Sequence, residues 1–368
     1  MNLIYISEGN GSAIRSQVFE YIKYVSELRD IEKVYFLIST KIKDDHPKFN
    51  ENVIVINFYN YGIYPFLEIL NSKELKKSLK KIDFDKEDIF HIRSSYLAFL
   101  FLTFFEKNYK YEPKLVIDIR GVVLEENSIK EMSFLKKQLK RQLILRVIKH
   151  LNKRELNYSV VSKDLKEYVK KRFNCKNIYI NPCFASENFK FDMNRRNEIR
   201  EYLGVGRDEI LVVFSSGSRN NWQNQDKVIN HFAKSNKLLL LTKEKYSGNL
   251  NNVISKFVDY SKVPEYLCAA DIGVILRDKS IVNEVASPIK FSEYVACGLP
   301  VITDGNVNQI NRFIIENNFG VIVKLDNFNQ NFFDKILIKN REIFSMLGVK
   351  HYGIKKIIEG YMNTYNKL

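Results

Sequence analysis

Short, continuous apolar runs alternate with helix-patterned segments along most of this chain, and that alternation limits its fold more than any other feature. The runs are LIYIS (3–7), VYFLIS (34–39), VIVINF (53–58), DIFHIRSS (88–95), KLVIDIRG (114–121), YSVVSK (158–163) and NIYINPC (177–183). Helical patterning fills residues 12–28 and 72–81 and several later gaps. A strand that is apolar on both sides has to be covered on both sides, so the pattern predicts βαβ units around a parallel sheet. The alternation pauses over the polar, loop-like residues 184–196 and resumes with EILVVFSSGS (209–218), KLLLLTKE (237–244), ADIGVILRD (270–278) and LPVITD (299–304). At 368 residues the chain is too long for one typical core. The prediction is an α/β protein of two Rossmann-like doubly wound domains, 1–183 and 184–344, facing a central cleft. A helical stretch from about 345 to 368 is placed to pack back on the first domain.

In open α/β sheets ligands sit beyond the carboxyl ends of the strands, so the residues that follow each strand are those to read for function. Charge narrows the partner. Lys plus Arg (58) exceeds Asp plus Glu (43), a net +15 that implies nucleic acid, an acidic membrane or a phosphorylated ligand. A hydrophobic fraction of 45% with 13% aromatics excludes a disordered chain. Cys175, Cys183, Cys268 and Cys297 form no C-x-x-C pair, which argues for reduced, buried thiols and against zinc. MNLIYISEGNG opens directly into a strand without a signal-peptide pattern, and no apolar run reaches the roughly 18 residues of a spanning helix. The expectation is a cytoplasmic protein, working free or at the inner face of the membrane.

In the first half, Gly9-Asn10-Gly11 follows a strand but has Ile14 where a dinucleotide fingerprint needs its third glycine. The second strand ends at Thr40 without an acidic ribose ligand. Hydride chemistry is therefore not expected. The loop keeps a weaker reading as an anion or acceptor contact through Gly11 and Arg15. Asp83-Phe84-Asp85 has the spacing of a metal motif but lies on the amino-end side of the sheet, so no metal is assigned. His91, Arg93, Asp118 and Arg120, with Glu125 and Glu126, fall at or after strand ends and are candidates to line the cleft. In SFLKKQLKRQLILRVIKHLNKR (133–154), Leu135, Leu139, Leu143, Val147 and Leu151 recur at helical spacing. Lys136, Lys137, Lys140, Arg141 and Lys149 lie elsewhere on the wheel. This segment reads equally as an interfacial helix on anionic lipid or as a core helix with a solvated basic face. No nucleic-acid reader motif accompanies the charge.

In the second half the polar residues gather after three strands. Gly217, Ser218 and Arg219 form a small-residue turn suited to phosphate, Lys243 follows LLLLT, and Arg277 follows DIGVIL. Then comes SPIKFSEYVACGLPVI (287–302). Ser287 reads as an N-cap, Pro288 as the first helical residue, and Gly298 as the αL stop. Cations and a positive helix end converge there, which suits a diphosphate. Glu293, three residues after Lys290, would weaken anion binding unless it accepts hydrogens from ribose hydroxyls.

That stretch resembles the donor-site signature of the GT-B glycosyltransferases of family 4, in the form P-x-K-x-x-E-Y-x-A-x-G-x-P-V-I. ADIGVILRD, FSSGS with Trp222 and Gln223, and IDIRG with Glu125-Glu126 resemble the same group, in particular enzymes of bacterial capsule and lipopolysaccharide synthesis. The resemblance implies a retaining transfer of sugar from a UDP- or GDP-linked donor to a glycan or lipid-linked acceptor, with no metal or cofactor. It implies that Glu293 holds the ribose and that Ile289 and its neighbouring helix amides, with Arg219 and Arg277, neutralise the leaving diphosphate. Catalytic roles would fall to His91, Asp118 and Arg120, and acceptor contacts to Gly11, Arg15, Arg93, Glu125 and Glu126. The sequence departs from the family at three places. Val285 stands where many members carry a second carboxylate, with Glu284 adjacent. Arg120 stands where a histidine is common, and Trp222-Gln223 where a lysine is usual, leaving Lys243 or Lys290 to replace it. A GT-B-type sugar-nucleotide epimerase and a noncatalytic polyanion-binding protein are the alternative readings.

Overall fold

A computed structural model describes residues 1–9, 13–40, 46–216, 224–324 and 340–368. The chain divides into two compact units, Met1–Asn181 with Ile358–Leu368, and Pro182–Ile357.

The first unit is built on seven parallel strands: β1 (Leu3–Glu8), β2 (Val34–Thr40), β3 (Val53–Tyr59), β4 (Ile89–Arg93), β5 (Lys114–Ile119), β6 (Leu156–Val160) and β7 (Cys175–Ile180). They lie in the order β3-β2-β1-β4-β5-β6-β7, so the order reverses between β1 and β4. In β1 five of six residues are buried, and their registers pair Tyr5 with Phe36 on one side and His91 on the other. The helix Ser95–Asn108 (SYLAFLFLTFFEKN) is apolar almost all round and accordingly sits inside the unit. The helix Phe134–Leu151 buries only Leu143, Ile144, Val147 and Leu151. Phe134 and Leu135 remain 76% and 69% exposed.

The second unit has six parallel strands: β8 (Leu211–Ser216), β9 (Lys237–Thr242), β10 (Val253–Lys256), β11 (Ile272–Ile275), β12 (Val301–Thr303) and β13 (Gly320–Ile322). Their order is β10-β9-β8-β11-β12-β13, with the reversal between β8 and β11. Two separate apolar clusters draw alternate residues of the same strands. Leu211 and Val213 belong to one, and Val212 and Phe214 to the other. This is the signature of a sheet covered on both faces.

The structure corrects the sequence reading in several places. The unit boundary falls at Asn181/Pro182, and residues 193–196 are helical rather than loop. Asp192 Oδ1 accepts from the Asn194 and Arg195 amides (2.9 and 3.1 Å) and starts the helix Met193–Leu203, which Gly204 ends in αL. The terminal helical stretch is two helices, Arg341–Tyr352 and Ile354–Tyr365. They are separated at Gly353, where Ala185 takes the Ile354 amide hydrogen and donates its own to Tyr352 O. The first of them belongs to the second unit, so the return to the first unit begins at Ile358 rather than near 345. β10 and β13 escaped the sequence reading because both are short edge strands with only partly buried residues. All four cysteines are free thiols, with Cys175 only half-buried.

Candidate functional site

In the second unit the site is organised by the helix Ile289–Ala296, which connects β11 to β12. Because those strands are parallel, its N-terminus lies at their carboxyl edge. Three contacts fix it. The Tyr294 hydroxyl accepts from the Ser215 amide of β8 (2.8 Å), and the Tyr294 ring fills the space where a side chain at Gly273 of β11 would stand. Ser292 Oγ donates to Cys183 O (2.8 Å). At the other end Gly298, at φ +65°, closes a Schellman turn. Its amide bonds Val295 O (2.9 Å) and the Leu299 amide bonds Tyr294 O (2.9 Å). The expected cap differs: the helix begins at Ile289 with Pro288 as N-cap. Ser287 Oγ instead accepts from the Cys183 amide (3.1 Å), because the chain at 183 runs past it and claims the hydroxyl.

Glu293 stands one turn into this helix and is fully buried. Its Oε2 lies 2.7 Å from Lys290 Nζ, while Oε1 has no donor of good geometry among the described residues. Burial pushes the carboxyl above its ordinary value, with Lys290 and then Tyr260 opposing. A buried carboxylate with an open lone pair is costly, and a hydrogen-bond donor from outside the chain would offset that cost. Arg277 follows β11, and its amide is held by Asp304 Oδ2 (2.7 Å), the residue that follows β12. Burial lowers its guanidinium from the ordinary value, with Asp304 opposing, and no carboxylate lies within ion-pair distance among the described residues. Lys243 is exposed at the end of β9, and Glu284 is half-buried beside buried Val285. Gly217, Ser218 and Arg219, with Trp222 and Gln223, lie outside the described residues, as does Gly11.

In the first unit a pocket of about 520 Å³ opens at the carboxyl ends of β1, β4 and β5, where the strand order reverses. Arg93, Asp118, Arg120 and Glu126 line it. So do Glu8, Ser94 and Lys130, which the sequence reading did not single out, although Glu8 and Ser94 stand at the strand ends the rule points to, and Lys140, which it placed only on the basic face of the 133–154 segment. Burial raises the Glu8 carboxyl, opposed by a hydrogen bond with Ser94 and by Lys130, Arg93 and Lys140. Ser94 holds φ +145°, a strained value for a residue with a side chain, and accepts from the Tyr96 amide at the start of the next helix (3.2 Å).

His91 does not line this pocket. It is the central residue of β4, wholly buried, with Nδ1 2.5 Å from the Tyr365 hydroxyl and Nε2 3.7 Å from Asp118 Oδ2. Tyr365 also hydrogen-bonds Tyr21, and Arg120 donates to Tyr361 Oη (3.1 Å) and Asn181 O (3.2 Å). His91 and Arg120 thus hold the last helix onto the first unit. Glu125 is likewise a structural group, bound by Tyr168 Oη (2.5 Å) and Arg172 Nη2 (2.7 Å). Arg15 is exposed on the π-helical turn Ile14–Phe19 and does not line the pocket. Among the described residues no group of three or more His, Cys, Asp or Glu is placed to hold a metal ion. No helix there is long and apolar enough to cross a membrane.

No family model and no curated protein matches the chain. Solved structures do. Sucrose-phosphate synthase from Thermosynechococcus elongatus aligns over 100% of this chain and 98% of its own, with a TM-score of 0.71 and 13% identity. WaaG, a glycosyltransferase involved in lipopolysaccharide biosynthesis, aligns over 95% and 94% with a TM-score of 0.66 and 15% identity. Anabaena HepE, solved with UDP and glucose, aligns over 100% of both chains with a TM-score of 0.68 and 11% identity. At such identities the likeness speaks for architecture, and it is consistent from end to end: this chain has the two-unit Rossmann-like fold of the GT-B glycosyltransferases.

Proposed function

We propose that the chain is a retaining glycosyltransferase that moves a sugar from a UDP- or GDP-linked donor to a glycan or lipid-linked acceptor in bacterial envelope polysaccharide synthesis. The bond between the anomeric carbon and the β-phosphate oxygen breaks, and an acceptor hydroxyl oxygen bonds that carbon. The acceptor proton leaves with the nucleoside diphosphate or to solvent. The observation that carries this reading is Glu293, a wholly buried carboxylate with one oxygen left open, on a helix whose N-terminus lies at the carboxyl edge of a Rossmann sheet. It fits the two hydroxyls of a ribose, with Lys290 turning from the carboxylate to phosphate when the donor arrives.

The departing diphosphate gains charge as the glycosidic bond lengthens, so cations fixed before the reaction stabilise the transition state more than the ground state. Arg277, the helix amides from Ile289 and, outside the described residues, Arg219 supply that charge in place of a metal. Retention follows if the acceptor attacks the face that the diphosphate leaves. The acceptor enters through the first-unit pocket. The exposed Phe134 and Leu135, together with Lys136, Lys137 and Arg141 on the same helix, support a resting place on an anionic membrane surface. Incubation with UDP- and GDP-sugars tests the donor class: stabilisation against heat by at least one of them is expected, and its absence across the panel refutes the reading.

A further inference from the structure

The pocket of the first unit contains more charge than a neutral sugar needs. Arg93, Lys130 and Lys140 all act on Glu8, and Lys130 also acts on Lys140. Among the described residues none of these three cations has a carboxylate within ion-pair distance, whereas Asp118 lies 3.6 Å from Arg120. Lys140 Nζ rests 5.1 Å from the centre of the Tyr64 ring, a contact that positions the ammonium without neutralising it. Glu8 faces the same space, half-buried and hydrogen-bonded to Ser94. Arg93, Arg120, Lys130 and Lys140 share the pocket with Glu8, Asp118 and Glu126, so its cations outnumber its carboxylates by one, and an entering anion relieves the repulsion that remains. A carboxylate in the same pocket repels a bare anion but accepts hydrogen from a hydroxyl.

We infer that the acceptor is a hydroxylated phosphate ester, its phosphate taken by Lys130, Lys140 and Arg93 and a neighbouring hydroxyl by Glu8. This rests on the reading of the first-unit pocket as the acceptor site. The phosphate is carried either by a soluble sugar or polyol, as a monoester, or by a lipid headgroup, as a diester, since both present anionic phosphate oxygens to the same cations.

The test uses the full-length protein with its donor site first filled by UDP or GDP, so that a diphosphate pocket cannot answer for this one. Glycerol 3-phosphate supplies the ester in soluble form. Phosphatidylcholine vesicles with and without phosphatidylglycerol supply it on a lipid. One of the two probes should bind the wild-type protein. The double substitution Lys130→Gln/Lys140→Gln, at side chains exposed or half-exposed, should weaken that binding by about tenfold or more. Glu8→Gln should weaken glycerol 3-phosphate but not inorganic phosphate. Binding of the free ester assigns a soluble acceptor, and binding only to phosphatidylglycerol vesicles assigns a lipid-borne one. The inference is overturned if neither probe binds, or if the double substitution leaves binding unchanged. Failure of UDP and GDP to bind would instead strike the glycosyltransferase reading, and the phosphate result would stand separately.

Discussion

Lys290 Nζ lies 2.7 Å from Glu293 Oε2, and the two ends of this pair differ sharply in environment: the lysine side chain is 23% exposed and the glutamate 0%. The lysine can therefore leave for another partner, but the glutamate cannot follow it into water. Lys290→Met should strand the buried carboxylate at a cost of about 3 kcal/mol near neutral pH, measured by chemical denaturation. Glu293 has a folded-state pKa raised above its ordinary 4.5, so the native state binds its proton more readily than the unfolded state does. Its contribution to stability is thus fully present below that ordinary value and is lost as pH rises through the folded one. The deficit of the lysine variant should shrink toward acid. A deficit that is constant across pH would show that Glu293 does not sense the lysine.

Burial has the opposite consequence at His91. Its imidazole is pushed below the ordinary 6.5, so the native state resists the proton that the unfolded chain accepts. Stability should fall as pH drops below that ordinary value, by up to about 1.4 kcal/mol per pH unit. Asp118, lowered from its ordinary 3.8 by Arg120 and His91 against the cost of burial, releases its stabilisation only in stronger acid. His91→Gln should flatten the stability profile between pH 6.5 and roughly 5, whatever its effect on absolute stability. An unchanged slope would remove His91 as the source.

Gly348 is where the helix Arg341–Tyr352 crosses the helix bearing Glu293, and a Cβ built there would overlap the Val295 carbonyl. Arg341 locks the same junction, donating to Cys268 O (2.9 Å) and Cys297 O (2.8 Å). Gly348→Ala should cost about 3 kcal/mol or more, since backbone rather than a flexible side chain would have to move. Stability within 1 kcal/mol of wild type would mean that the two helices slide freely.

The exposed end of the helix Phe134–Leu151 offers a separate check. Phe134→Ser/Leu135→Ser and, independently, Lys136→Glu/Lys137→Glu/Arg141→Glu should each reduce flotation with anionic vesicles. The second effect should fade with salt, as charge attraction does. Equal flotation of all three proteins would exclude this helix as the membrane contact.

Both sheets were legible in the sequence because central parallel strands are apolar on both faces, and runs such as LVVF or LLLL are short and bounded by polar or turn residues, unlike the longer apolar run of the buried helix Ser95–Asn108. What the sequence hid was of another kind. The edge strands β10 and β13 bury too little to leave a pattern, and the helix from Met193 announces itself only through its Asp192 cap. Lys290 and Glu293 were readable because they share one helix at fixed spacing. The pocket residues Glu8, Ser94, Lys130 and Lys140 come from separate elements that only the fold assembles. His91 misled for the complementary reason. A histidine in a strand gives no sign in sequence that a helix ending at Tyr365, more than 270 residues later, will cover it.

The central claim is that Glu293 receives the ribose of a nucleotide sugar, and calorimetric titration of the wild-type protein and Glu293→Ala with UDP and GDP tests it most directly. The wild type should bind one of the two, and the variant should bind it at least about tenfold more weakly while remaining folded. Equal affinity in the two proteins, or no binding of either nucleotide to the wild type, would contradict the account.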